Sequence, residues 1–114
     1  MFPLIPLGNL FATVWEAGDS LGHVKVYLLS GDSVRKVFDN GSRFNPQFIE
    51  ASESTPNPIV LLDRSNETGA IARPTQTEIW QWNSRTSKFV LRATVPVGQK
   101  FIALAKLEHE TTAK

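Results

Sequence analysis

The chain carries one strand–turn–strand phrase twice. Val26-Tyr27-Leu28-Leu29-Ser30, a Gly31-Asp32 turn and Ser33-Val34 form the first copy. The second begins 53 residues on, as Ile79-Trp80-Gln81-Trp82-Asn83, a turn through Ser84 to Lys88, and Phe89-Val90-Leu91, with two more residues in its turn. Each copy continues through a glycine (Gly41, Gly98) and a basic residue (Arg43, Lys100) to a phenylalanine (Phe44, Phe101) and a third apolar run. Short strands recurring at 40 to 55 residues match the length of a propeller blade. This pattern constrains architecture and assembly, and it carries no chemistry.

Composition narrows the class. With 114 residues there is room for one ordinary domain or two small repeats. A content of 41% hydrophobic and 20% charged residues fits a globular chain rather than a disordered or membrane-embedded one. The 12 basic and 11 acidic residues are interspersed, so counterion release offers little and no nucleic-acid partner is expected. There is no cysteine, which removes disulfides and thiolate metal sites. The apolar stretch Met1 to Leu7 holds two prolines and no basic residue, so neither a signal peptide nor a membrane span is expected there.

Clusters of Pro, Gly, Asn, Asp and Ser punctuate the chain every 8 to 12 residues, the spacing of short antiparallel strands. Eight strands are expected: Leu10 to Glu16, His23 to Ser30, Val34 to Asp39, Gln47 to Ala51, Ile59 to Arg64, Thr77 to Asn83, Lys88 to Val95 and Phe101 to Leu107. In the seventh, Phe89, Leu91, Ala93 and Val95 alternate onto one face. The last run is rich in Ala and Leu, with a short helix as its alternative, but its repeat match to Phe44 to Ala51 favours a strand. The expected fold is therefore all-β, with helix below about a tenth of the chain. It consists of antiparallel meanders in two blade-like units, 10–39 and 47–95, and a closing strand 101–107. Residues 1–9 are expected as an extension and 108–114 as a disordered tail. The alternative is a single compact barrel or sandwich. The stretch Ser65 to Gln76, with Asn66, Glu67, Gly69 and Pro74, reads as an exposed contact loop.

So arranged, the segment Val24 to Pro96 resembles bacterial FG-GAP/VCBS-like propeller repeats. The pieces carrying the resemblance are Phe48-Ile49-Glu50, the loop Ala51 to Pro58, Ile59-Val60-Leu61-Leu62, and Glu78-Ile79-Trp80-Gln81-Trp82-Asn83. The resemblance implies acidic calcium ligands that fall here on Glu50, Ser52, Ser54 and Pro58. One carboxylate and two hydroxyls make a poor calcium cage, so no metal or cofactor is expected. The alternating donors Asp63, Ser65, Glu67 and Gly69 are a weaker version of the same pattern. A secreted or periplasmic location is implied by the resemblance alone.

Gly18-Asp19-Ser20-Leu21 matches the four-letter signature of GDSL hydrolases, which implies a nucleophilic Ser20. The partners that chemistry needs are missing: only His23 and His109 offer an imidazole, and Lys106 stands where the supporting Asp belongs. A polar turn between two strands is the favoured reading of the tetrapeptide, since Gly, Asp and Ser are turn formers. Trp80, Trp82 and Tyr27, with Trp15, are either core rings of stacked sheets or an aromatic platform for a ligand. The preferred function is a non-catalytic structural or binding module of propeller type, with Trp80, Trp82, Tyr27, Asn66 and Glu67 as candidate binding residues. A small esterase acting through Ser20 and a carbohydrate-binding β-sandwich using Trp80 and Trp82 are the alternatives. Expected partners are two to four copies of the chain or further repeats of a longer protein, and beyond these a protein or glycan ligand. The closing strand 101–107 is expected to pair with an N-terminal unit of the same or a neighbouring chain.

Overall fold

The protein is described by a computed structural model that covers residues 4–7, 9–17, 21–42, 44–51, 57–69 and 71–112. Among the described residues, eight strands form two antiparallel four-stranded meanders. The first sheet is β1 (Leu4–Leu7), β2 (Leu10–Ala17), β3 (Leu21–Ser30) and β4 (Ser33–Ser42). The second is β5 (Gln47–Ile49), β6 (Ile59–Arg64), β7 (Gln76–Asn83) and β8 (Lys88–Pro96). A 3₁₀ turn, Val97–Gln99, then leads into helix α1 (Lys100–Thr112). The fold is all-β, as expected from sequence, and the helix takes 13 of 114 residues, just over a tenth.

Three expectations are corrected. Phe101 to Leu107 is helix, not a closing strand. Ala, Leu and Lys are strong helix formers, and Ala103, Leu104 and Leu107 fall on one helical face against the second sheet. Residues 108–112, expected as part of a disordered tail, continue that helix. The strand that completes the first sheet comes from within the expected extension: β1 pairs Leu4 with Thr13 and Leu7 with Leu10. The C-terminal run therefore does not pair with the N-terminal unit.

The repeat inferred from sequence recurs as three-dimensional detail. In the first sheet the register slips between Val26 and Tyr27, which pair with Phe38 and Lys36 and leave Val37 as the extra residue of a bulge. In the second it slips between Ile79 and Trp80, which pair with Ala93 and Leu91 and leave Arg92. The two slips lie 53 residues apart, the period of the repeat. The hydrogen bond from Leu29 N–H to Asn9 O, 3.0 Å, likewise has a twin from Trp82 N–H to Pro58 O, 2.9 Å. The turns account for the two added residues. Gly31, at φ 59°, opens a two-residue hairpin in the conformation that favours glycine. The four-residue turn Ser84 to Ser87 is held by Asn83 Oδ1, which accepts from the N–H groups of Arg85 and Thr86.

The bulge at Arg92 also corrects the alternation expected in β8. Phe89 faces the first sheet, whereas Ala93 and Val95 lie beneath α1, because the extra residue switches which side the later side chains take. Both halves of the strand are apolar, so the sequence shows no break.

The sheets pack face to face. Leu10, Ala12, Val24, Val26 and Phe38 of the first meet Val60, Leu62, Trp82 and Phe89 of the second, with Trp80 packed alongside. Phe38 stands edge-on to Trp80 at 5.3 Å between ring centroids and lies 5.1 Å from Phe89. The opposite face of the second sheet, Ile59, Leu61 and Ile79, is covered by Leu104 and Leu107 of α1. Lys100 at the start of the helix pairs with Asp63 at 3.6 Å, and Asp63 also accepts from Thr77 Oγ1 at 2.6 Å.

Candidate functional site

Each sheet has two different faces, and the repeat relates them. The aliphatic face of the first sheet carries Leu10, Ala12, Val26 and Phe38; its counterpart on the second carries Ile59, Leu61, Ile79 and Ala93. The aromatic face of the second sheet carries Val60 opposite Trp80 and Trp82 opposite Phe89. By the same registers, the aromatic face of the first sheet carries Phe11 opposite Tyr27 and Leu29 opposite Val34.

The stacking order is aromatic face on aliphatic face, then α1. This sequence covers both aliphatic faces and one aromatic face. The other aromatic face is open. Phe11, Tyr27, Leu29 and Val34 line a shallow groove of about 290 Å³. Val34 is 62% exposed and Leu29 38%, whereas their counterparts Phe89 and Trp82 are 8% and 7% exposed. An apolar group displayed this way, four side chains contiguous across three strands, marks a contact surface better than scattered exposed residues do.

Polar groups border the groove. Lys36, opposite Tyr27, donates to Asp39 Oδ2 at 2.8 Å, and His23 Nδ1 lies 3.4 Å from Asp39 Oδ1. The hydrogen bond from Lys36 holds the Asp39 carboxyl below the usual carboxylate range, and the same contact raises the Lys36 ammonium above its own. Lys25 stands opposite Asp39 in the ladder. This border provides charge for steering and register, and the Asp39 carboxylate is engaged.

The candidate residues separate. Trp80 and Trp82 share the packed face between the sheets, where Trp82 is buried and Trp80 half-buried with its Nε1–H donated to Glu78 at 3.1 Å. Tyr27 belongs to the open face, so the structure does not bring the three rings together. Asn66 and Glu67 lie in the β6–β7 loop, which Thr75 closes by donating its N–H to Arg64 O at 2.8 Å. Glu67 accepts from Arg73 N–H at 2.8 Å and from its guanidinium at 3.3 Å, and these contacts hold its carboxyl below the usual range. Its carboxylate shapes the loop rather than facing a ligand. Asn66 is exposed, as is Ile71 at 91%.

Gly18, Asp19 and Ser20, like Ser52 and Ser54 of the loop compared with calcium sites, lie outside the described residues. Pro58 is buried and Glu50 exposed. Among the described residues no three His, Cys, Asp or Glu side chains converge as metal ligands, and every buried side-chain polar atom has a partner. A polar cleft of about 350 Å³ lies beside Asn57, Asn83, Arg85 and Arg92. There Arg92 hydrogen-bonds Gln81 and Asn83 holds its own turn. Among the described residues no helix is long and apolar enough to cross a membrane.

Sequence reasoning missed Phe11, Leu29 and Val34 as a surface. The signal was present, since aligning the two copies places Leu29 on Trp82 and Val34 on Phe89. What was missing was which of the two equivalent faces the rest of the chain covers. Compared with protein-family models, curated proteins and solved structures, the chain matches none of them.

Proposed function

We propose that this chain is a non-catalytic structural and binding module of propeller type, built from two FG-GAP/VCBS-like units, that works by stacking sheet faces. The observation supporting this reading is the equivalence of two faces: Val60, Trp80, Trp82 and Phe89 are packed on a neighbouring sheet, while Phe11, Tyr27, Leu29 and Val34 await one. Propellers stack four-stranded sheets in one sense around an axis, commonly four to eight of them. Two sheets per chain then correspond to two to four copies. Docking an apolar sheet face buries area without needing a polar pocket, and the driving force is about 25 cal/mol per Å² removed from water.

The test separates surface from core. Val34→Glu is expected to shift Tm by no more than about 3 °C, as exposed substitutions do, whereas Phe89→Ala lowers it by more than about 10 °C. A Val34→Glu protein destabilised as much as Phe89→Ala would show that the first aromatic face already packs inside the chain. That result would overturn the module reading.

A further inference from the structure

Whatever covers the open aromatic face must offer what the first sheet offers the second: a shallow aliphatic sheet face. The chain has two. One is occupied by its own second sheet. The other, Ile59, Leu61, Ile79, Ala93 and Val95, is covered among the described residues by α1. We infer that the open face docks on this second aliphatic face of another copy, taking the place of α1. The inference rests on the module reading above and names its partner as a second copy of the chain.

Three features make α1 a replaceable cover. Its buried apolar contacts are Leu104 and Leu107, at 9% exposure each, while Phe101 and Ile102 of the same helix stand 69% and 60% exposed. A helix with large apolar residues pointing both ways is poorly matched to a terminal position facing water. There is no acidic residue in its first turn to complement the helix dipole. A groove of about 330 Å³ also remains between α1 and β8, bounded by Ala93, Val95, Ile102 and Leu107.

Charge is complementary as well. The aliphatic face under α1 carries Asp63, at 15% side-chain exposure and paired with Lys100. Lifting α1 removes that ammonium, and a partly buried carboxylate then needs another cation. The open aromatic face is bordered by Lys25 and Lys36 together with Asp39, which Lys36 already pairs, so two ammonium groups accompany the Asp39 carboxylate and the incoming border is net positive. Aromatic-on-aliphatic docking is heterologous: each copy uses different faces to meet its two neighbours. Such contacts close into rings or extend as filaments, according to the rotation per step. In the chain as it stands, α1 keeps the interface shut until a second copy competes for it.

The experiment uses full-length chains and sedimentation velocity. Leu104→Asp with Leu107→Asp loosens α1 and is expected to strengthen self-association at least about tenfold over wild type. Adding Val34→Glu should return that protein to monomer. The triple variant keeps an accessible aliphatic face and a blocked aromatic one, so mixed with wild type it should give a 1:1 complex and nothing larger. If the helix variants fail to fold, a photo-crosslinker at Val34 in the otherwise unaltered chain decides. It should attach to Leu61, Ile79, Ala93 or Val95 of a second copy at high concentration. Crosslinks from Val34 to Val34 or Leu29 would show a symmetric aromatic-to-aromatic dimer and overturn the inference. So would folded helix variants that stay monomeric, association indifferent to Val34→Glu, or no crosslink at all. These failures leave the module reading standing so long as Val34→Glu folds normally, whereas a Val34→Glu protein that unfolds removes both.

Discussion

Val34 and Phe89 hold the same position in two copies of one hairpin, yet Val34 is 62% exposed and Phe89 8%. Each opposes the corresponding residue of the preceding strand, Leu29 and Trp82. The difference between them is whether a neighbouring sheet is present. Phe89→Ala is therefore expected to cost about 3 to 5 kcal/mol and Val34→Ala no more than about 0.5 kcal/mol, read from urea unfolding with unchanged m-values. Similar costs at the two positions would mean their surroundings are alike, contrary to the packing described.

Arg92 is the extra residue that moves β8 from one face to the other. Arg92→Ala keeps the bulge and removes the hydrogen bond to Gln81, itself 5% exposed, so a cost of about 1 to 3 kcal/mol is expected. Deleting Arg92 instead removes the bulge and leaves a regular ladder in which Leu91 still opposes Trp80 and Ala93 still opposes Ile79, so Ala93 and Val95 stay beneath α1. The deletion variant is therefore expected to fold at a cost within about 2 kcal/mol of Arg92→Ala, and a deletion that abolishes folding in calorimetry would contradict this register.

The two tryptophans of β7 differ in burial and should differ in cost. Trp82, buried between the sheets and 5.3 Å from the Phe89 ring, is expected to lose about 3 to 5 kcal/mol as alanine. Trp80 is half-buried and should cost less, about 2 kcal/mol, partly through the lost hydrogen bond to Glu78, whose carboxylate keeps Arg64 at 3.2 Å. Stopped-flow or equilibrium unfolding followed by the remaining tryptophans measures both.

The duplication and the strands were legible in the sequence because turn chemistry marks them. Ile59 to Arg64 was placed to the residue, and the Gly31 hairpin follows from a backbone conformation that glycine adopts readily. The run Phe101 to Leu107 folds as helix because the helix propensity of Ala103 to Leu107 outweighs its repeat match to Phe44 to Ala51. Leu4 to Leu7 reads as an extension because Pro6 lies within it and Pro3 just before it, although an edge strand tolerates proline. The candidate site was only partly legible. Tyr27 was named, but aromatic residues drew attention to Trp80 and Trp82, whose size is what buries them. Exposure depends on what lies opposite, and strand periodicity does not carry that.

The border of the open face is expected to respond to pH at both extremes. Asp39 has a lowered carboxyl pKa through Lys36, so the pairing is present above the ordinary carboxylate value of about 4 and is lost as pH falls through the lowered one. Lys36 has a raised pKa, so its share is complete below about 10.4 and is lost only as pH rises through the raised value. In a carbon-detected NMR titration, Asp39 should titrate below the usual range in the native chain and return toward it in Lys36→Met. An Asp39 unaffected by that substitution would show that the pair does not persist in solution.

The stacking of an aromatic face on an aliphatic one is tested most directly by a double-mutant cycle between Phe38 and Trp80, whose rings meet edge-on across the two sheets at 5.3 Å. With Phe38→Leu and Trp80→Leu, singly and together, a coupling of about 0.5 to 1.5 kcal/mol is expected from equilibrium unfolding. Additive losses, with no coupling beyond error, would place the two rings apart and contradict the packing on which the open face, its counterpart and its proposed partner all depend.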